Sequence, residues 1–266
     1  MLRLVKQLEG KSPAQRLEII RQTLDGWQVP YQLQKYKTGV NLFVKAETRH
    51  FVGIGSHYDV VAGSPGANDN ASAIAVALDV VRRMQSYPIQ HLSVQFFFFD
   101  EEENGLKGSQ AYLEKFGCQG MKGLFNLELV GMGNQLALWP LHAHSEGCLL
   151  ETLERQCVQM QICTRRFDKI ITHMADHVSF RNAGLADAFT LTCLSNEDVQ
   201  VAQHYYKALE FDVDSQTLRE ILSEAPLFRH YHQATDVSDH LQESALQMTA
   251  DVLWHTYLTL DKQTFE

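Results

Sequence analysis

Acidic and histidine side chains recur in five short clusters along this 266-residue chain. Ser56-His57-Tyr58-Asp59 comes first, followed by Gly66-Ala67-Asn68-Asp69-Asn70. Asp100-Glu101-Glu102-Glu103-Asn104-Gly105 and Asn126-Leu127-Glu128-Leu129 lie mid-chain, and Tyr231-His232-Gln233-Ala234-Thr235-Asp236 lies near the C-terminus. Carboxylates gathered at one crevice repel each other and resist ionisation unless a cation compensates them. Histidine and carboxylate ligands, without cysteine, suit zinc and also tolerate manganese or cobalt. One carboxylate bridging two metals about 3.5–4 Å apart is the recurring hydrolytic arrangement. Taken singly, each of these residues reads as a solvated loop acid or a satisfied histidine. Taken together, at successive strand ends, they read as one site.

The elements that must position them follow from periodicity. Helices are predicted over residues 14–25, after a Ser12-Pro13 start signal, and over 71–84, 148–160 and 238–260. Strands are predicted over 41–46, 51–55, 92–99, 123–130, 135–139 and 188–194. The apolar run Leu92 to Phe99 has the pattern of a strand covered on both faces. Strands alternating with helices imply an α/β fold, a three-layer sandwich with a mixed, mostly parallel central sheet. In such sheets the ligand crevice lies beyond the carboxyl ends of the strands, which is where the clusters sit. At this length a single catalytic domain spanning 1–266 is expected. Residues 195–229, with helical stretches at 198–209 and 215–222, read as a helical cap beside the crevice or as a surface excursion without a role.

Composition excludes several classes. Apolar residues make up 45% of the chain and charged ones 21%, as in an ordinary globule and unlike a disordered chain. The net charge of −9 argues against general nucleic-acid binding, which runs on a basic footprint. No stretch approaches the roughly 18 apolar residues that span a bilayer, so no membrane partner is expected. Residues 1–15 lack the apolar core and cleavage site of a secretion signal. Cys118, Cys148, Cys157, Cys163 and Cys193 form no CxxC pair and are odd in number, which favours free thiols in a reducing cytoplasm.

The five clusters, in this order, resemble the co-catalytic di-zinc aminopeptidase family (peptidase family twenty-eight), which includes glutamate carboxypeptidase and, more distantly, glutaminyl cyclase. The likeness runs from about Asn41 to the end of the C-terminal helix. It implies the zinc-exopeptidase (phosphorylase/hydrolase-like) fold and two zinc ions per chain. His57 would bind one metal, with Asp59 orienting its imidazole from behind. Asp69 would bridge both metals, Glu128 would complete the His57 metal, and Glu103 with His232 would hold the second. The family's Glu-Glu-x-Gly-Leu-x-Gly-Ser motif matches Glu102 to Ser109, which makes Glu102 the general base and leaves Glu101 outside the motif. Tyr231 would donate to the tetrahedral oxyanion or serve as a packed aromatic. Asp176, in Ala175-Asp176-His177, would steady a substrate amine at the site rim or cap a helix. His230 competes with His232, and the His-x-x-x-Asp spacing to Asp236 favours His232. His142 and His144 match nothing in the family and read as loop histidines.

Two features depart from the family. Glu128 stands where the family has Asp, one methylene shorter, and the 195–229 stretch is longer than expected. The implied activity is removal of N-terminal residues from peptides with a free amine. A single-zinc glutaminyl-cyclase-like acyltransferase is the alternative, disfavoured by the intact Gly-Leu-x-Gly-Ser continuation. A non-catalytic binding protein ranks last, because every ligand position holds a competent residue.

Overall fold

The computed structural model describes residues 1–168 and 174–264. Two N-terminal helices, α1 (Leu2–Leu8) and α2 (Pro13–Gly26), precede the first strands, β1 (Gln32–Lys35) and β2 (Val40–Val44). The start of α2 is fixed by a reciprocal cap: Ser12 Oγ accepts from Gln15 N and Gln15 Oε1 accepts from Ser12 N, with Pro13 supplying the first helical φ. Then come β3 (Phe51–His57), an irregular helical turn over Ala67–Ser72, α3 (Ala73–Met84) and β4 (Ser93–Phe99). The middle of the chain holds α4 (Lys107–Phe116), β5 (Met121–Leu127), β6 (Gln135–Trp139), α5 (Cys148–Gln159) and β7 (Thr164–Arg166). The remainder is α6 (His177–Asn182), β8 (Ala188–Leu194), three helices α7 (Asn196–Glu210), α8 (Ser215–Ser223) and α9 (Pro226–Arg229), and the long α10 (Glu243–Leu260).

Eight strands form one sheet in the order β1-β2-β4-β3-β5-β8-β6-β7. The central run β4-β3-β5-β8 is parallel, while β1, β2 and β6 join antiparallel to their inner neighbours. β4 accounts for its own burial. Val94, Phe96 and Phe98 face the core built with α3, α5 and α10, whereas Phe97 and Phe99 face Tyr112 of α4 and Phe180 of α6. The period of two thus loads both faces of a central strand, and helices cover each. Beyond the reach of α4 and α6, Ala137, Trp139 and Leu194 from β6 and β8 are covered instead by Val199 of α7 and Leu227 of α9. No helix among the described residues is long and apolar enough to cross a membrane.

Element ends move relative to the sequence reading. β3 continues through His57 rather than stopping at Gly55, and β5 ends at Leu127, three residues earlier than predicted. The predicted 238–260 helix is two pieces, a short turn at Ser238–His240 and α10 from Glu243, because Leu241 and Gln242 are extended. The predicted 71–84 helix starts at Ala73, after the irregular turn that carries Asp69. The edge strands β1 and β7 escape prediction because Gln32–Lys35 and Thr164–Arg166 are short and polar.

The second glycine of the Gly-Leu-x-Gly-Ser run has a packing reason. Asn41 on β2 donates to the Gly108 carbonyl (2.8 Å) and accepts from Asp100 N (3.1 Å), so α4 is clamped against the end of β4. A Cβ at Gly108 would collide with the Asp100 carbonyl oxygen and with Asn41 Oδ1. Gly108→Ala is therefore expected to lower stability by about 1–3 kcal/mol, read as a shifted urea midpoint. An unchanged midpoint would contradict this clamp.

Candidate metal centre

The site lies at the carboxyl ends of β3, β4 and β5. His57 is the last residue of β3, Glu102 and Glu103 follow β4, and Glu128 follows β5 directly. Asp69 sits in the turn before α3, and His232 follows α9 with φ of 59°. The turn places Asp69 and Asn70 in non-helical conformations within an otherwise helical path.

Asp69 is the hinge of the arrangement. Its Oδ1 lies 3.2 Å from His57 Nε2, and its Oδ2 lies 3.2 Å from His232 Nε2. His57 Nε2 is also 3.3 Å from Glu128 Oε2, and His232 Nε2 is 3.1 Å from Glu103 Oε2. Two ligand sets therefore share one carboxylate: His57, Asp69 and Glu128 on one side, His232, Asp69 and Glu103 on the other. Two ligands about 2.0–2.1 Å from a tetrahedral ion lie about 3.3 Å apart, so these histidine–carboxylate separations match those across a zinc-sized cation. Among the described residues, His57, Asp69 and Glu103 offer ligand atoms all within 4.8 Å of one another.

Charge explains why a cation fits. Burial raises the carboxyls of Glu103 and Glu128 above their ordinary values and that of Glu102 well above it. Burial opposes ionisation of Asp69 too, but hydrogen bonds from His232 and His57 hold it well below the usual carboxylate range. The imidazoles respond in the opposite sense. Burial works against a charged His57, yet Glu128 together with Asp59 and Asp69 raises it well above normal. Burial likewise opposes a charged His232, while Asp69 and Glu103 carry it to about 9. The carboxylates thus demand positive charge at the positions of the two Nε2 atoms, which a metal ion can supply.

The residues around these ligands hold them in place. Asp59 faces His57 Nδ1 at 3.3 Å through Oδ1, and the same carboxylate accepts from Glu102 N and Glu103 N, both at 3.1 Å. One side chain therefore sets the His57 ring and the backbone that carries two of the acids. Glu128 is steadied by Asn70 Nδ2 (2.7 Å) on Oε2 and Asn126 Nδ2 (3.2 Å) on Oε1. Its extra methylene does not remove it from the cluster. Asp236 accepts from Asn68 N (2.8 Å) and Asp69 N (3.0 Å), and burial lifts its carboxyl to about 6. The sequence reading gave no role to Asn70, Asn126 or Asp236. Their signals were the two asparagines placed around Asp69 and Glu128 and the four-residue step from His232 to Asp236.

Other expected residues are placed differently. Asp176 was expected at the site rim, but it is fully buried and is not among the residues lining the cavity. Burial raises its carboxyl to about 7, opposed most by the Ser109 hydroxyl, and its side chain makes no helix-capping bond. Tyr231 lines the cavity with its ring stacked on His232 at 3.7 Å and edge-on to Phe228. Glu101 pairs with Lys107 (3.5 Å), and His230 stacks on His240 and contacts Thr235 Oγ1. Neither enters the cluster.

Beside the ligands lies a cavity that opens to solvent. Its acidic floor is His57, Asp69, Glu102, Glu103 and Glu128. Its walls are apolar and aromatic, built by Trp139 and Phe167 together with Val201, Ala202, Tyr205 and Tyr206 of α7, with Phe167 in ring contact with Tyr206. Asp198 ties this wall together, accepting from Ser195 N (2.7 Å) and from Leu227 N (2.8 Å) at the start of α9.

The model of peptidase family M28 matches residues 41–257, and the chain belongs to that family. It is similar to the probable lipoprotein aminopeptidase LpqL of Mycobacterium tuberculosis, 26% identical over 253 residues, covering 90% of this chain and 47% of LpqL. Among solved structures it resembles BSAP, a zinc aminopeptidase from Bacillus subtilis, at a TM-score of 0.62 and 22% identity, covering 84% of this chain and 50% of that one. It also resembles Porphyromonas gingivalis glutaminyl cyclase at a TM-score of 0.74 and 14% identity, covering 97% and 96% of the two chains. The chain thus spans about half the length of the two aminopeptidases.

The double duty of Asp59 yields an expectation. Asp59→Asn keeps one oxygen but loses the charge that orients His57, and should weaken zinc binding by about 10- to 100-fold in a competition titration against a chelator. Wild-type affinity in that variant would contradict the assignment.

Proposed function

We propose that the chain is a metal-dependent exopeptidase that removes N-terminal residues from peptides. The observation that carries this reading is the composition of the cavity. Its floor is acidic, its walls are apolar, and no Lys or Arg is among the described residues lining it. A free N-terminal ammonium suits the acid of this floor that the metals leave free, Glu102, whereas no Lys or Arg among the described lining residues would hold a C-terminal carboxylate.

When bound, two zinc ions, one held by His57, Asp69 and Glu128 and the other by Glu103, Asp69 and His232, would acidify a water and polarise the scissile carbonyl. The residues of the chain divide the remaining work. Glu102, which lines the cavity floor beside these ligands, takes a proton from the attacking water and returns it to the leaving nitrogen. Asp59 fixes the backbone on which Glu102 rides. Tyr231 keeps its phenol protonated, since burial and the surrounding acids raise its pKa, and so remains a donor for the developing oxyanion. Trp139, Phe167 and the α7 face exclude water and receive the side chain of the departing residue.

Four experiments test this reading. Glu102→Gln should lower kcat on an aminoacyl-peptide by about 10²- to 10⁴-fold while metal content stays at the wild-type level. Retained activity would remove Glu102 from the mechanism. With the wild-type chain, Leu-peptides should be cleaved more than about 10-fold faster in kcat/KM than Gly-peptides, and N-acetylated peptides not at all. Ala202→Phe, which fills the α7 wall, should shift that preference toward small residues. A peptide beginning with glutamine separates the acyl-transfer alternative: cyclisation with release of ammonia, rather than loss of the residue, would favour it.

A further inference from the structure

We infer that Arg16 is a positioning residue for Asp69, acting on the metal site from outside the segment that defines the family. Arg16 lies on α2, upstream of the matched residues 41–257, and is fully buried. Its Nη2 donates to the carbonyls of Pro65 and Gly66, both at 2.8 Å, and its Nε donates to Leu8 O at 3.2 Å, at the end of α1. The turn leading to Asp69 is therefore gripped from two sides. Arg16 holds carbonyl oxygens at residues 65 and 66, while Asp236 holds the amides of Asn68 and Asp69. Gly66 is required by this contact. It has φ of +66°, and a Cβ there would collide with Arg16 Nη2 and crowd Val60 Cγ2 and the Asp69 carbonyl.

A neutral donor could satisfy those carbonyls at a lower desolvation cost, so the charge itself needs a reason. The guanidinium lies in the field of Asp69, Asp236, Asp59 and Glu103, all favouring its charged form against the cost of burial. It thus supplies a fixed cation against the turn that leads to Asp69. The inference rests on Asp69 being a metal ligand, as proposed above.

The test is a cobalt(II) chloride titration of the metal-free full chain, wild type against Arg16→Met, followed by visible absorption. Arg16→Met should raise the cobalt dissociation constant at least about tenfold and alter the absorption bands that report ligand geometry, with the far-ultraviolet dichroism unchanged. A merely structural contact would not move those bands. If Arg16→Met does not fold, Arg16→Gln reads the same way, because it keeps a donor for the carbonyls and removes the charge. Wild-type affinity and spectrum in the folded variant would overturn the inference alone. A wild-type chain that takes up no cobalt would overturn the metal reading of Asp69, and this inference with it.

Discussion

The structure turns on the mutual repulsion of carboxylates buried at the ends of three parallel strands. Asp69 and Glu128 are 3% and 6% exposed, and Glu102 and Glu103 stand beside them around two imidazoles. No fold would gather these groups in an apolar wall unless positive charge repaid the desolvation. Much of the surrounding architecture serves to hold that charge in place. Asp59 clamps the strand end that carries Glu102 and Glu103, Asn70 and Asn126 hold Glu128, and Asp236 holds the turn of Asp69.

Membership of peptidase family M28 rests on residues 41–257; α1 and α2 lie outside that segment and α7 to α9 lie within it, and both groups reach the site. On one side, α1 and α2 reach the site through the Arg16 guanidinium. On the other, α7 to α9 cover the part of the sheet that α4 and α6 leave bare, and turn that covering surface into the wall of the cavity. The reading of residues 195–229 as a cap beside the crevice is consistent with this placement. The tie that fixes it is Asp198, which completes the Ser195 capping box at the start of α7 and accepts the Leu227 amide at the start of α9.

The parallel core and the positions of the ligands were legible in the amino-acid order, for a physical reason. Strands buried on both faces write long apolar runs such as Val94 to Phe99, and ligands at strand ends write short polar clusters directly after them. Features set by tertiary contact were not legible. Asp176 looked like a rim residue because its local sequence does not reveal that it is fully buried at the start of α6, beside the Ser109 hydroxyl of α4. The short edge strands carry no periodicity strong enough to announce themselves, and β7 exists because β6 offers it a partner. Arg16 has no local signal either, because its partners are about 50 residues downstream.

The central claim is that this acidic cluster exists to hold two metal ions. Elemental analysis of the purified full-length chain, after exposure to zinc and removal of loosely bound ions, tests it most directly. The account predicts two zinc ions per chain, and their joint loss when Asp69, which faces both histidines, is replaced by alanine. A chain that retains no zinc under those conditions would contradict it.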